Sequence, residues 1–343
     1  MSPLARPVRP AHPERMLVPL TSSSSETVLD GTGALPLDFS VVRRRRVADA
    51  VMTLDLAPPA GMPLPQWSAG AHIDVDIPRT GLTRQYSLCG PPDADFLRIA
   101  VLREPESRGG SSWLHSNVAE GTTLRISGLR NHFSLTGEGP VVFVAGGIGI
   151  TPIRAMIAEA DSRGVPWELH YAGRCAESMA FLPELAESYG DRVTTYSPAT
   201  RRLDVPGLLR GLTPGTSVYA CGPVRLLSAI DDAAPAHTAV RTERFTAEDI
   251  DTSGDTAFEV TCARSGVRCT VPAGQSILAT LRDAGIQQVS QCEEGVCGSC
   301  ETTVLDGIPE HRDMLLTDEE RAENTTMMIC VSRAKTAQLT LDL

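Results

Sequence analysis

Between residue 37 and about residue 135, apolar and polar positions alternate in short runs. Phe39 and Val41 begin the pattern, and the stretches 73–77, 83–88, 97–102 and 123–126 alternate or are rich in β-formers, with glycine and proline between them. A period of two over short, evenly broken runs predicts an antiparallel β-barrel spanning 37–137. The consecutive arginines Arg43, Arg44, Arg45 and Arg46 fall at its start and read as a solvated strand or turn.

After Gly139-Pro140 the pattern changes. Residues 141–145 are continuously apolar, glycines follow, and then Ile153, Met156 and Ile157 repeat with a helical period. Strand-like runs at 167–172, 193–197 and 217–221 alternate with helical segments at 182–189 and 224–233, which predicts a parallel α/β sheet with crossover helices over 138–247. Residues 247–255 hold four acidic side chains and Gly254, a linker composition. Beyond it, Phe258, Val260 and Cys262 form a strand that turns at Ser265-Gly266 and returns through Val267, Cys269 and Val271. A helix over 277–284 stops at Gly285, and Thr317-Asp318-Glu319-Glu320 has the form of a capping box, so 256–343 is expected to be a small α+β domain. Residues 1–36, with six prolines and the run Ser22-Ser23-Ser24-Ser25, read as a flexible extension. Its Arg6, Arg9 and Arg15 hint at a transit peptide, but Glu14, Glu26 and Asp30 stand among them.

A chain of 343 residues with 42% hydrophobic and 21% charged side chains is of ordinary globular composition and large enough for two or three domains. Its net charge of −11 argues against nucleic acid and anionic membranes as partners, and suits docking to a basic patch on another protein. The apolar run 16–20 is too short for a secretory signal, and no stretch approaches the roughly 20 apolar residues of a membrane span. The expected location is therefore cytoplasmic, where nine cysteines point to metal ligation or spectator thiols rather than a disulfide framework.

Cys292, Cys297 and Cys300 are separated by four and two residues, and Cys330 follows after 29 more. This is the plant-type spacing for a 2Fe-2S cluster, in which one tight loop supplies three thiolates and a distant segment the fourth. Gly295 and Gly298 give the loop its turns and leave room for backbone N–H groups near bridging sulfides. A structural zinc site would more commonly pair two short knuckles. Cys89, Cys175, Cys221, Cys262 and Cys269 show no partner spacing.

Other chemistry is spread over the first two domains. Gly146-Gly147-Ile148-Gly149-Ile150-Thr151-Pro152 follows a strand and opens a helix, the setting in which backbone N–H groups hold a pyrophosphate. Arg84-Gln85-Tyr86-Ser87 lies in a barrel strand, where Arg84 and Tyr86 share one face, a cation for a phosphate and a ring for a flavin. Arg108-Gly109-Gly110-Ser111-Ser112 forms a second anion site at a helix start. Cys221-Gly222-Pro223 ends a central strand where ligands of open parallel sheets bind, and Glu243-Arg244-Phe245 ends that domain.

In this order, Arg-x-Tyr-Ser, Gly-Gly-Ser, Gly-Gly-x-Gly-x-Thr-Pro, Cys-Gly-Pro and Cys-x4-Cys-x2-Cys…Cys, the motifs resemble the phthalate dioxygenase reductase family, which includes vanillate demethylase reductases. The resemblance covers residues 37–343. It implies an FMN barrel, an NAD domain and a plant-type, β-grasp ferredoxin domain in one chain. Arg84, Gln85, Tyr86 and Ser87 would contact FMN, with Gly109, Gly110 and Ser111 at its phosphate. Gly147, Gly149, Thr151 and Pro152 would line the nucleotide, Cys221, Gly222 and Pro223 would position the nicotinamide, and Phe245 would pack near the isoalloxazine. Arg174 is a candidate for the adenosine side, and could equally meet the 2′-phosphate of NADPH. Cys292, Cys297, Cys300 and Cys330 would hold the cluster.

The implied reaction converts a two-electron donor into single electrons: hydride from NADH to FMN, with Thr151, Cys221 and Phe245 holding the rings in contact, then one electron at a time through the cluster. The acceptor would be the oxygenase component of a Rieske-type aromatic oxygenase or demethylase. It would dock near the ferredoxin domain, whose 13 acidic and 7 basic side chains carry about half the net charge. An FAD- or FMN-containing reductase serving a haem monooxygenase, and a non-enzymatic ferredoxin-like redox sensor, are the competing readings.

Overall fold

The computed structural model describes residues 36–104, 109–235, 237–246 and 250–343. The extension through residue 35, Arg108 and part of the acidic linker lie outside the described residues.

The first domain contains β1 (Leu37–Ala48), β2 (Val51–Ala57), β3 (His72–Ile77), β4 (Leu82–Ser87), β5 (Leu97–Leu102), α1 (Gly110–Asn117) and β6 (Thr123–Arg130). Its sheet runs β4-β3-β6-β1-β2-β5 with antiparallel neighbours. A bridge between Leu88, just past β4, and Ile99 in β5 brings the two outer strands together and closes the barrel. Alternation along the strands points Phe39, Leu54, Ile73, Val75, Ile99 and Leu124 into a dry interior. β2 departs from clean alternation and is buried on both faces. Met52, Leu54 and Leu56 face the barrel interior, while Val51 joins Phe133, Phe143, Met156 and Tyr171 in a core shared with the second domain. The arginine run lies in the exposed part of β1, a solvated strand.

The second domain contains β7 (Val141–Gly146), a 3-10 turn (Gly147–Gly149), α2 (Ile150–Ser162), β8 (Trp167–Ala172), α3 (Leu182–Tyr189), β9 (Val193–Tyr196), α4 (Val205–Arg210), β10 (Ser217–Cys221), α5 (Val224–Ala233) and β11 (Ala239–Glu243). Its all-parallel sheet has the order β11-β10-β7-β8-β9. The chain starts in the middle at β7, moves outward through β8 and β9, and returns to the other side for β10. The crevice between the C-terminal ends of β7 and β10 is thus the topological switch point, where open α/β sheets take their ligands.

The third domain contains β12 (Phe258–Cys262), β13 (Arg268–Val271), α6 (Ile277–Asp283), β14 (Glu301–Asp306), β15 (Pro309–Glu310), α7 (Asp318–Glu323), β16 (Thr326–Met328), β17 (Arg333–Ala334) and β18 (Gln338–Leu341). The sheet order is β13-β12-β18-β14-β16, with β12 and β18 parallel. Ile277, Leu278 and Leu281 of α6 pack on Val260, Leu339 and Leu341 of the sheet. The capping box is present: Thr317 Oγ1 accepts the Glu320 N–H at 3.2 Å, and Glu320 Oε2 accepts the Thr317 N–H at 2.8 Å. The barrel, the parallel α/β sheet and the α+β ferredoxin-like unit make up the fold class expected from the sequence.

The end of the linker is fixed electrostatically. Asp255 accepts a hydrogen bond from Arg312 at 2.7 Å and from the Gly274 N–H at 3.2 Å, and its carboxylate lies 3.4 Å from Arg333 Nε. Arg333 is buried and also donates to the carbonyls of Thr256 and Pro272 at 2.9 and 3.0 Å. Removing the acid would take away the carboxylate that buried Arg333 faces and leave Arg312 with Glu310 alone. Asp255→Ala is expected to destabilise the third domain by about 3 kcal/mol, read in urea titrations as a lower midpoint for loss of cluster absorbance.

Candidate redox site

The loop ahead of β14 is shaped by three residues with positive φ, Glu293 (57°), Gly295 (72°) and Gly298 (75°). The two glycines adopt this geometry without the Cβ penalty. Their turns bring Cys292, Cys297 and Cys300 to one side, where Cys330 joins them from the segment after β16. Cys297, Cys300 and Cys330 are buried. The thiols interact in pairs, Cys292 with Cys297 and Cys330, and Cys300 with Cys330. Hydrogen bonds from the thiols of Cys297 and Cys330 pull the Cys292 thiol down, and push Cys297 and Cys330 up in return. The Glu294 N–H donates to Cys292 Sγ at 3.3 Å, and Ser299 Oγ lies 3.1 Å from Cys297 Sγ. Among the described residues no three His, Cys, Asp or Glu side chains converge on the position of a single ion. Four thiols gathered from one loop and one distant segment are the donor set of a binuclear cluster, and the residues present fit it.

On the barrel, Arg84 and Gly110 meet: a Cβ on Gly110 would stand 2.9 Å from Arg84 Cγ and 3.3 Å from its Nε. Gly109, with φ of 107°, precedes the first turn of α1. The N-terminus of α1 thus stands beside the Arg84 guanidinium, a pairing of the kind that could receive a phosphate. Ser111 Oγ, in the same turn, accepts the Glu104 N–H at 3.2 Å. Tyr86 packs on the barrel core, and burial pushes its phenol well above the ordinary range. Gln85 points elsewhere, and its amide donates to Asp74 Oδ1 at 3.1 Å.

At the switch point the two turns touch. A Cβ on Gly149 would lie 2.2 Å from the Cys221 carbonyl oxygen, and one on Gly146 would lie 2.6 Å from Pro223 Cδ. Thr151 and Pro152 are buried in the first turn of α2, and the Thr151 hydroxyl donates to the Ile148 carbonyl at 3.0 Å. Arg174 follows the end of β8.

Sequence reasoning took Phe245 from the end of this domain and passed over Glu243. In the parallel register Glu243 of β11 stands beside Cys221 of β10, with Oε2 4.0 Å from the sulfur. Burial raises the Glu243 carboxyl to about 8, opposed by the nearby Ser87 hydroxyl. That hydroxyl is buried and close to the carboxyl, though outside good hydrogen-bond geometry. The Cys221 thiol is also pushed well up, by burial and then by Glu243. Ser87, Cys221 and Glu243 therefore meet where the barrel joins the α/β sheet, an uncharged polar group at neutral pH. Phe245, 41% exposed, lies two residues further on. The signal for Glu243 was available in the pairing of the two last strands, which composition alone does not reveal.

A β-barrel followed by a switch-point α/β sheet is the architecture of flavin-dependent nicotinamide reductases, and here a ferredoxin domain is fused behind it. Residues 260–335 match the family model of the 2Fe-2S iron-sulfur cluster binding domain. The chain is 44% identical over 304 residues to the phenoxybenzoate dioxygenase subunit beta of Ectopseudomonas oleovorans, covering 86% of this chain and 94% of that one. Among solved structures, phthalate dioxygenase reductase, described as modular for electron transfer from pyridine nucleotides to [2Fe-2S], matches 90% of this chain and 98% of its own at 36% identity and a TM-score of 0.64. An intact type IV self-sufficient cytochrome P450 monooxygenase matches at 46% identity and a TM-score of 0.85 over 90% of this chain, which spans 41% of that larger protein. The chain belongs to the phthalate dioxygenase reductase family and is an oxidoreductase.

Two outcomes follow from the geometry. Gly149→Ala forces apart the turns of β7 and β10, and is expected to slow NADH-driven flavin reduction by about a hundredfold while iron content stays at the wild-type level. Glu243 has a carboxyl raised on folding, so its contribution to stability is fully present below the unfolded value of 4.5 and is lost as pH rises through about 8. Thermal midpoints measured from about pH 5 to pH 9 should fall less steeply in Glu243→Gln than in wild type.

Proposed function

We propose that this protein takes electrons from NADH and passes them, through FMN and a 2Fe-2S cluster, to a separate oxygenase component. The observation that carries this reading is the seating of the cysteine loop directly on the flavin barrel, where a Cβ on Gly298 would lie 2.5 Å from Nε2 of His132, just past β6. A bound flavin supplies the conversion between a two-electron hydride donor and a one-electron acceptor. The side chains hold and orient. Arg84, Gly109, Gly110 and Ser111 would hold the FMN phosphate, with Tyr86 and Phe245 flanking the ring and Ser87 at its polar edge. Gly147, Gly149, Thr151 and Pro152 would receive the nucleotide, Cys221, Gly222 and Pro223 would set the nicotinamide, and Arg174 would reach the adenosine side. A protonated Glu243 keeps negative charge away from a ring that gains electrons. Cys292, Cys297, Cys300 and Cys330 would hold the two irons.

The ferredoxin domain, with 13 acidic and 7 basic side chains, offers the docking face for a basic surface on the oxygenase. Among the described residues no helix is long and apolar enough to cross a membrane. A cytoplasmic location, where thiolates stay reduced, belongs to the same reading. A haem monooxygenase as client is the second reading, favoured by the match to the self-sufficient cytochrome P450.

Anaerobic stopped-flow mixing with NADH is expected to bleach the flavin first and the cluster second, and more slowly with NADPH. Protein purified without flavin, or a cluster that stays oxidised, overturns the reading. Electron transfer to the oxygenase should weaken as ionic strength rises from about 50 to 500 mM, because a Debye length near 10 Å at 0.1 M shortens with added salt. A flat response discards the acidic docking face.

A further inference from the structure

Between the flavin strand and the cysteine loop runs a continuous polar connection. β4 presents Arg84 and Tyr86 on one face and Gln85 on the other. Gln85 donates to Oδ1 of Asp74, its cross-strand partner in β3, at 3.1 Å. The Asp74 side chain is fully buried, and its Oδ2 accepts a hydrogen bond from Arg130 at the end of β6. Arg130 leaves the barrel and enters the third domain: its Nε donates to the Cys297 carbonyl at 3.0 Å, and its NH2 to Gln291 Oε1 at 2.9 Å. Three partners on two domains use the planar fork of one guanidinium, which a lysine ammonium cannot reproduce.

The backbone is arranged around this side chain. The pairing of β3 with β6 shifts register between Asp74 and Val75, an irregularity of the kind that re-aims side chains. Opposite Asp74 stands Gly128, where a Cβ would lie 2.0 Å from Asp74 Oδ2 and 2.6 Å from Arg130 NH1. In the loop, Gly298 follows Cys297 and admits His132 of the barrel. A surface ion pair needs none of these accommodations.

We infer that Arg130, anchored by buried Asp74, is the positioning residue for electron transfer from the flavin to the cluster. It fixes the Cys297 peptide, and with it one sulfur ligand and the loop's distance from the flavin barrel. Its charge also stands close to the loop that accepts the electron. The inference rests on the proposed reductase function, and concerns its second step alone. Loss of the guanidinium leaves hydride transfer intact and slows the step that follows, because the rate of electron transfer falls as the loop moves away from the flavin barrel.

The test uses full-length protein carrying flavin and cluster, as wild type, Arg130→Leu, Arg130→Lys and Asp74→Asn. After anaerobic mixing with NADH, flavin reduction should stay within about twofold of wild type in all three. Cluster reduction should slow at least tenfold in Arg130→Leu and Asp74→Asn, with Arg130→Lys in between. Two readouts are independent of turnover: the electron paramagnetic resonance spectrum of the dithionite-reduced cluster should shift in Arg130→Leu, and amide exchange across residues 291–299 should accelerate in both severe variants. Should Arg130→Leu fail to retain iron, Asp74→Asn, which keeps Arg130 and its bonds to the cysteine loop, decides. Cluster reduction and loop exchange within twofold of wild type in Asp74→Asn overturn the inference. A wild-type protein whose cluster NADH does not reduce overturns the reductase reading instead, and the exchange measurement still decides whether Arg130 holds the loop.

Discussion

A hydride passes only between rings held about 3.5 Å apart, and a polypeptide backbone is bulky on that scale. Close approaches within the domains, and one between them, use the same device, a glycine at the point of contact. Gly149 lets the turn after β7 touch the Cys221 carbonyl, Gly110 lets α1 reach Arg84, Gly128 makes room for Asp74 and Arg130, and Gly298 admits His132. In each case a Cβ would lie under 3 Å from a neighbouring atom, closer than atoms pack without displacement. Each domain keeps its own conventional core, and the shared core around Val51, Phe143 and Met156 fixes the first two against each other. The third is tied on by charge.

That difference has a physical basis. Apolar contact is non-directional, so it secures two domains while leaving local freedom to slide. A buried, hydrogen-bonded ion pair adds little net stability but specifies geometry, since displacing either partner exposes an unpaired charge to a low-dielectric surrounding. Asp74 with Arg130, and Asp255 with Arg312 and Arg333, stand where the third domain meets the barrel and the linker. Orientation of the cysteine loop thus rests on directional contacts.

Much of this was legible in the sequence, because it is local. Strands at 167–172 and 217–221 and helices at 182–189 and 224–233 coincide with β8, β10, α3 and α5, where hydrophobic period and flanking glycines agree. The Thr317 capping box is present in the structure. α4 is six residues long and starts from an Asp204 cap, too short to display a period, and β11 is an edge strand carrying Arg241 and Glu243. β2 was hidden because burial on both faces erases alternation. At the site, the cysteine spacing and glycine turns are sequence-local, whereas Glu243, Asp74 and Arg130 take their roles from partners dozens of residues away. Gln85 shows the converse: its neighbours Arg84 and Tyr86 share a face, and the alternation of the strand turns its own side chain to Asp74.

The electrostatics of the two halves of the site are opposed. Where a nicotinamide would meet a flavin, Glu243 and Cys221 are both held protonated by burial, so nothing there resists the arrival of negative charge. At the cysteine loop, Arg130 stands by with a positive charge, donating to the Cys297 carbonyl. Uncharged groups at one end and a positive charge at the other follow from which side chains are desolvated and which are paired, and therefore from the packing of three domains whose individual folds are unexceptional.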